Sequence, residues 1–144
     1  VWLVRGFIER ENREVSKFLS FPEFSKKNLK MRRVAIPIAN DKLSEYFGGC
    51  SYYEIFEIVG SKVQKSTFET PFVSSIEELP AWIKKKGITD VITYKVNKEI
   101  ISLFASKKVN LFVGVPVNTS EKLIDDYLNG RLESDENIIR SCLR

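Results

Sequence analysis

Between Arg33 and Tyr53 the chain reads RVAIPIANDKLSEYFGGCSYY, an apolar run, a polar loop and the start of a second apolar segment. Val34, Ala35, Ile36 and Ile38 lack a polar alternation, which predicts a strand covered on both faces. Tyr52 to Ile58 alternates, with Tyr53, Ile55 and Glu57 on one face and Tyr52, Glu54, Phe56 and Ile58 on the other. Val59-Gly60-Ser61 predicts a turn, and Lys62 to Glu69 returns with β-branched and aromatic residues, so the pair reads as a hairpin. Ser75 and Glu78 have capping-box spacing, and a helix to about Lys86 follows. A proline beyond the first turn would break that helix. Pro80 therefore opens the true helix, with a separate turn before it. Lys84-Lys85-Lys86 and Gly87 form a C-terminal signal.

Ile88 to Thr93 predicts a short strand. Asn97 predicts the cap of a helix that buries Ile100, Ile101 and Phe104. Val109 to Gly114 is the next strand. Asn118 to Glu121 has capping-box spacing for a helix that buries Leu123, Ile124, Tyr127 and Leu128, with Gly130 as its terminator. The order β-β-β-α-β-α-β-α predicts an α/β fold with a mixed sheet and parallel crossovers. Ligands bind such sheets beyond the carboxyl ends of the strands. Those ends carry three loops, Asn40 to Cys50, Tyr94 to Asn97 and Val115 to Asn118, around one expected crevice.

The two ends of the chain read differently. Residues 1–30 keep a partial helical spacing at Val4, Ile8, Val15, Phe18 and Leu19, which predicts a packing helix or a poorly ordered extension. The domain is expected over 31–132, beginning at Met31. A tail over 133–144 offers Ile138, Ile139, Cys142 and Leu143, and either docks or stays mobile.

The chain has 144 residues, a length that suggests one domain with its own core. No apolar run approaches a membrane span and no secretory signal is present, so neither a membrane partner nor export is expected. Two cysteines are no disulfide framework, which points to a reducing, cytoplasmic setting. The net charge is +4. Residues 1–30 hold seven Lys/Arg against four Asp/Glu, so the remainder is nearly neutral and no nucleic-acid partner is expected.

The absence of histidine narrows the chemistry further. No Ser-His or Cys-His nucleophile pair and no imidazole metal ligand can exist in this chain. Two-metal hydrolysis would need clustered carboxylates, and Asp41, Glu45 and Asp90 suggest no common geometry. No enzymatic activity is expected. The candidate site is the segment Ser44, Glu45, Tyr46, Phe47, Gly48, Gly49 and Cys50. Gly48-Gly49 permits a tight turn or close approach to a ligand, and Cys50 is the one thiol outside the tail. The residues alone leave two readings of Cys50: a ligand, or a small buried hydrophobe. The triple lysine reads as a solvated helix end rather than a phosphate patch.

Six stretches carry a resemblance. Met31-Arg-Arg-Val-Ala-Ile-Pro-Ile-Ala, Leu43-Ser-Glu-Tyr-Phe-Gly and Tyr52-Tyr-Glu-Ile-Phe-Glu-Ile resemble the start of the dinitrogenase iron–molybdenum cofactor biosynthesis family. Lys86-Gly-Ile-Thr-Asp-Val-Ile, Val109-Asn-Leu-Phe-Val-Gly and Thr119 to Leu132 are similar to its later strands and closing helix. The resemblance implies a ribonuclease H-like three-layer α/β/α fold with a five-stranded mixed sheet. It also implies a nitrogenase accessory factor-like role, binding or carrying an iron–sulfur or iron–molybdenum type cluster, as a monomer or homodimer beside a metallocluster biosynthesis protein. The family typically has histidine where this chain has Tyr46, and often another at Gly49. Its glycine-rich loop is replaced here by Tyr94-Lys95-Val96. Cys50 is then the one metal ligand that the loop retains. Two functions follow as expectations: a cluster-binding carrier domain, or a metal-free interaction or regulatory module on the same fold.

Overall fold

The computed structural model describes residues 31–48 and 50–142. The expectations for residues 1–30, Gly49 and Leu143 lie outside the described residues. Strand β1 (Met31–Ala39) is central, and a two-residue strand β2 (Lys42–Leu43) folds back on its end. A hairpin follows, β3 (Tyr52–Val59) and β4 (Lys62–Glu69). A 3-10 turn (Ile76–Glu78) leads into α1 (Leu79–Lys85). The remaining elements alternate: β5 (Asp90–Ile92), α2 (Lys98–Ser106), β6 (Asn110–Phe112), α3 (Ser120–Leu128) and α4 (Glu136–Cys142).

The sheet runs β4-β3-β1-β5-β6, antiparallel across the hairpin and parallel from β1 to β6. It has six strands rather than the expected five, because β2 adds to the edge of β1 through Ile38 and Leu43. Turning back there requires left-handed backbone at Asn40 and Asp41, with φ of 55° and 63°. Short Asx side chains tolerate that conformation, which favours this tight turn.

The alternation of β1 and β3 sorts side chains into two cores. Ala35, Tyr53 and Ile55 face α1 and α2, where Ile83, Ile100 and Phe104 are buried. Val34, Ile36, Ile38, Phe56 and Ile58 face α3, which buries Leu123, Ile124 and Tyr127. Helices therefore cover both faces of the sheet, and β1 is apolar on both sides because both sides are covered.

The helix starts follow local chemistry. Pro80 sits in the first turn of α1, while Glu78 Oε2 accepts from the backbone N–H of Ser74 and Ser75 at 2.6 and 2.9 Å. The turn and the helix are thus separate, as the position of Pro80 requires. Asn97 Oδ1 accepts from Ile100 N at 2.9 Å and caps α2. The cap of α3 is Thr119, one residue later than the expected Asn118, and its Oγ1 accepts from Lys122 N.

The tail packs onto the sheet end. Asp135 N donates to Gly114 O at 2.7 Å, and Ile138 and Ile139 of α4 are buried. Gly114 has a φ of +77°, and a Cβ there would lie 2.7 Å from Ile139 Cγ1. Gly114→Ala is expected to cost about 2–3 kcal/mol, from left-handed strain and overpacking together. Urea unfolding would show it, with faster proteolysis of α4 as a second readout.

Candidate functional site

The loop from Asn40 to Cys50 divides its residues between the core and the surface. Ser44 is buried, and its Oγ donates to Tyr46 O and accepts from Tyr46 N, a local turn that fixes the chain. Phe47 is 3% exposed and stands edge-on to Tyr53 and Phe104, with ring centroids 6.0 and 5.5 Å away. Glu45 is exposed, and Tyr46 is 69% exposed. Ser44 and Phe47 thus hold the loop in place, while Glu45 and Tyr46 face solvent. The structure does not bring these four onto one surface.

All three strand-end loops meet, but they pair with one another rather than standing apart. Tyr46 forms a parallel bridge with Lys95, and Lys42 an antiparallel one with Thr119. Leu43 N donates to Asn118 O at 2.9 Å. Backbone pairing occupies the middle of the expected crevice, and Val96 is buried beneath it.

Cys50 faces elsewhere. It packs against the core under α1 and α2 and borders an open cavity of about 290 Å³. The other walls come from Tyr53 and the connection between β4 and α1, including Thr70, Val73, Ser75, Ile76 and Leu79. Gly48 also lines it, and a Cβ at Gly48 would lie 2.9 Å from Ile76 Cδ1. The small residue thus lets the 3-10 turn approach the loop. Sequence reasoning missed residues 70–79 as a wall of this cavity. Their signal was a run of turn-forming residues between two apolar elements.

The thiol is held in its neutral form. Burial pushes the Cys50 thiol above its ordinary value of 9.0, and the hydrogen bond with Tyr53 opposes this more weakly. The Tyr53 hydroxyl also donates to Phe47 O at 2.9 Å, so its single proton is shared between that carbonyl and the sulfur. Burial raises the Tyr53 phenol as well, with the neighbouring sulfur adding to it. Since the native thiol pKa is raised above that of the unfolded chain, this contribution to stability is intact below pH ~9 and fades as pH climbs through the native value. Alkylation of Cys50 by iodoacetamide at pH 8 is accordingly expected to be at least about threefold slower in the native protein than in urea. Equal rates would show a free, solvated thiol.

A metal cluster needs several soft donors. Cys50 supplies one, and among the described residues no three His, Cys, Asp or Glu side chains gather to hold a metal ion. The described residues by themselves do not fit a cluster. No helix among the described residues is long and apolar enough to cross a membrane.

The chain matches no protein-family model. It is 24% identical over 113 residues to an uncharacterized protein of Methanocaldococcus jannaschii, MJ0580, covering 75% of this chain and 95% of that protein. The crystal structure of MJ0327, a candidate dinitrogenase of the same organism, is 22% identical with a TM-score of 0.58, over 74% of this chain and 97% of that one. The apo orange protein of Desulfovibrio gigas is 12% identical with a TM-score of 0.59, over 74% and 95%. These likenesses show a shared fold. The crystal structure of PH0822 superposes with a TM-score of 0.68 over 74% of this chain and 97% of its own, at 30% identity. By that identity over nearly the whole of PH0822, this chain and PH0822 belong to one family.

Proposed function

We propose that this chain is a non-enzymatic binding domain with an accessory role in metallocluster biosynthesis, on a ribonuclease H-like frame. Of its two possible modes, the donor set favours the one without a resident cluster, a protein-interaction or regulatory module. The fold likeness to the candidate dinitrogenase and to the orange protein supports the metallocluster theme. The observation that carries the metal-free mode is the donor set: Cys50 is a half-buried thiol against an apolar core, and among the described residues no three His, Cys, Asp or Glu side chains gather to hold a metal. The remaining loop positions bear Glu45 and Tyr46 on the surface, which suit contact with a partner protein better than ligation of soft metal.

The test is purification without oxygen, elemental analysis, and incubation with iron and sulfide. Colourless, metal-free protein that retains a specific protein partner is the expected result. Visible absorbance that disappears in Cys50→Ala would replace this mode by the cluster carrier, with ligands completed by a second chain or a partner.

A further inference from the structure

The end of the sheet opposite the strand-end loops gathers cations from four elements. Thr89 N donates to Arg33 O and Asn110 N to Thr89 O, so the starts of β1, β5 and β6 lie side by side. The C-termini of α1 and α2, which pack together, feed into β5 and β6 at this same end. They deliver Lys84 and Lys85 from one helix and Lys107 and Lys108 just after the other. The hairpin turn adds Lys62, whose neighbour Val59 pairs with Met31. Lys62, Lys84, Lys85 and Lys108 are exposed, and among the described residues none of these five lysines makes an ion pair.

The carboxylates of this end are already engaged. Glu57 faces Lys65 at 3.4 Å, Asp90 is buried against Asn110 and Tyr127, and Asp125 and Asp126 hold Arg131. Arg33 stands within the cluster beside Gly87, and its Nε is shut off from solvent with no hydrogen-bond partner. A buried donor left unmade is costly, which marks Arg33 as an unsatisfied cation inside the cluster, while the exposed lysines around it are the groups that a ligand from outside can reach.

We infer that the basic end formed by Arg33, Lys62, Lys84, Lys85, Lys107 and Lys108 docks an extended acidic segment of a protein partner. The inference rests on the interaction-module reading above and names the chemistry of the partner. A small anion seated at the helix ends would meet the negative ends of the two helix dipoles. An extended chain of carboxylates instead meets the outward Nζ groups of several lysines at once. Nucleic acid fits less well: Met31 is the exposed large apolar side chain at the start of β1, and among the described residues the lysine-bearing ends present no exposed aromatic ring for a base to stack on. Two lysine pairs at neighbouring helix ends make a surface that steers by charge and tolerates sequence variation in the partner.

The test titrates the full chain with a fluorescent polyglutamate peptide of about ten residues, long enough to span both helix ends. Binding is expected to weaken at least about tenfold between roughly 50 and 200 mM salt, as the screening length halves. It is also expected to weaken at least about tenfold in the four-site variant Lys84→Glu, Lys85→Glu, Lys107→Glu, Lys108→Glu, with the two helix ends also reversed separately in case the full variant folds poorly. The absence of salt-sensitive binding, or binding untouched by either pair of reversals, overturns the inference. So does tighter binding of duplex DNA or anionic vesicles through the same lysines. These outcomes are separable from the functional reading. A partner retained by the charge-reversed protein defeats the inference alone, while iron-dependent colour with polyglutamate binding intact defeats the metal-free mode alone.

Discussion

Phe104→Ala is expected to remove about 3–5 kcal/mol of folding stability, the largest loss from any single side chain near the site. Phe104 is fully buried on α2 and stands edge-on to Phe47, whose ring also meets Tyr53. Truncation leaves a cavity in the centre of the layer that supports the candidate loop. The core cannot collapse into that space easily, because Phe47 is anchored by its own carbonyl, which accepts from Tyr53. The loss is measured by urea unfolding. A second readout is the alkylation rate of Cys50, which is expected to rise as Phe47 and Tyr53 loosen. A stability change under about 1 kcal/mol would show that this aromatic cluster does not carry the layer.

Asp90→Ala comes next, with an expected cost of about 3 kcal/mol. Asp90 is 2% exposed at the start of β5. Its Oδ1 accepts from Asn110 Nδ2 at 2.8 Å and its Oδ2 from the Tyr127 hydroxyl. Arg32 donates to that same hydroxyl at 3.1 Å and lies over the Tyr127 ring, 5.1 Å from its centroid. One carboxylate thereby ties β5 to β6 and to α3, and connects both to the first residues of β1. Alanine removes one acceptor from two donors at once, the Tyr127 hydroxyl and the partly buried Asn110 amide. Asp90→Asn keeps an acceptor oxygen and is expected to lose less than half as much. Equal losses in the two variants would show that charge, rather than hydrogen bonding, holds the network.

The legible part of the fold was carried by short-range signals. The apolar run Val34–Ile38 marked the central strand, Gly60 the hairpin, Asn97 a helix cap and Pro80 a helix start, each confirmed in place. These succeed because caps and turns are decided by residues within four positions of one another. The two-residue β2 escaped notice because nothing local distinguishes Lys42-Leu43 from loop. Its pairing with β1 depends on a turn through left-handed Asn40 and Asp41. The cap of α3 falls at Thr119 rather than Asn118: Thr119 Oγ1 accepts from Lys122 N, while Asn118 Oδ1 accepts from Thr119 N and Asn118 O from Leu43 N.

The candidate site was less legible than the frame. Apolar and polar residues alternate in Leu43 to Cys50 as in many loops, and their number does not say which way each points. Packing of Phe47 between Tyr53 and Phe104 turned Cys50 toward residues 70–79 rather than toward the other strand-end loops. Ile76, approaching from the far side of the hairpin, then claimed the space over Gly48.

The amino-acid sequence by itself determined the longer strands and the first three helices, though not β2 or the tail helix α4, and that no imidazole chemistry is available. Periodicity and composition are properties of the chain alone. Only the tertiary structure decided where the thiol looks, that its proton stays on, and that the lysines ending two separate helices share one surface. Burial and charge density depend on what long-range packing brings alongside, and none of the residues that raise the Cys50 thiol or surround Arg33 could be chosen from spacing.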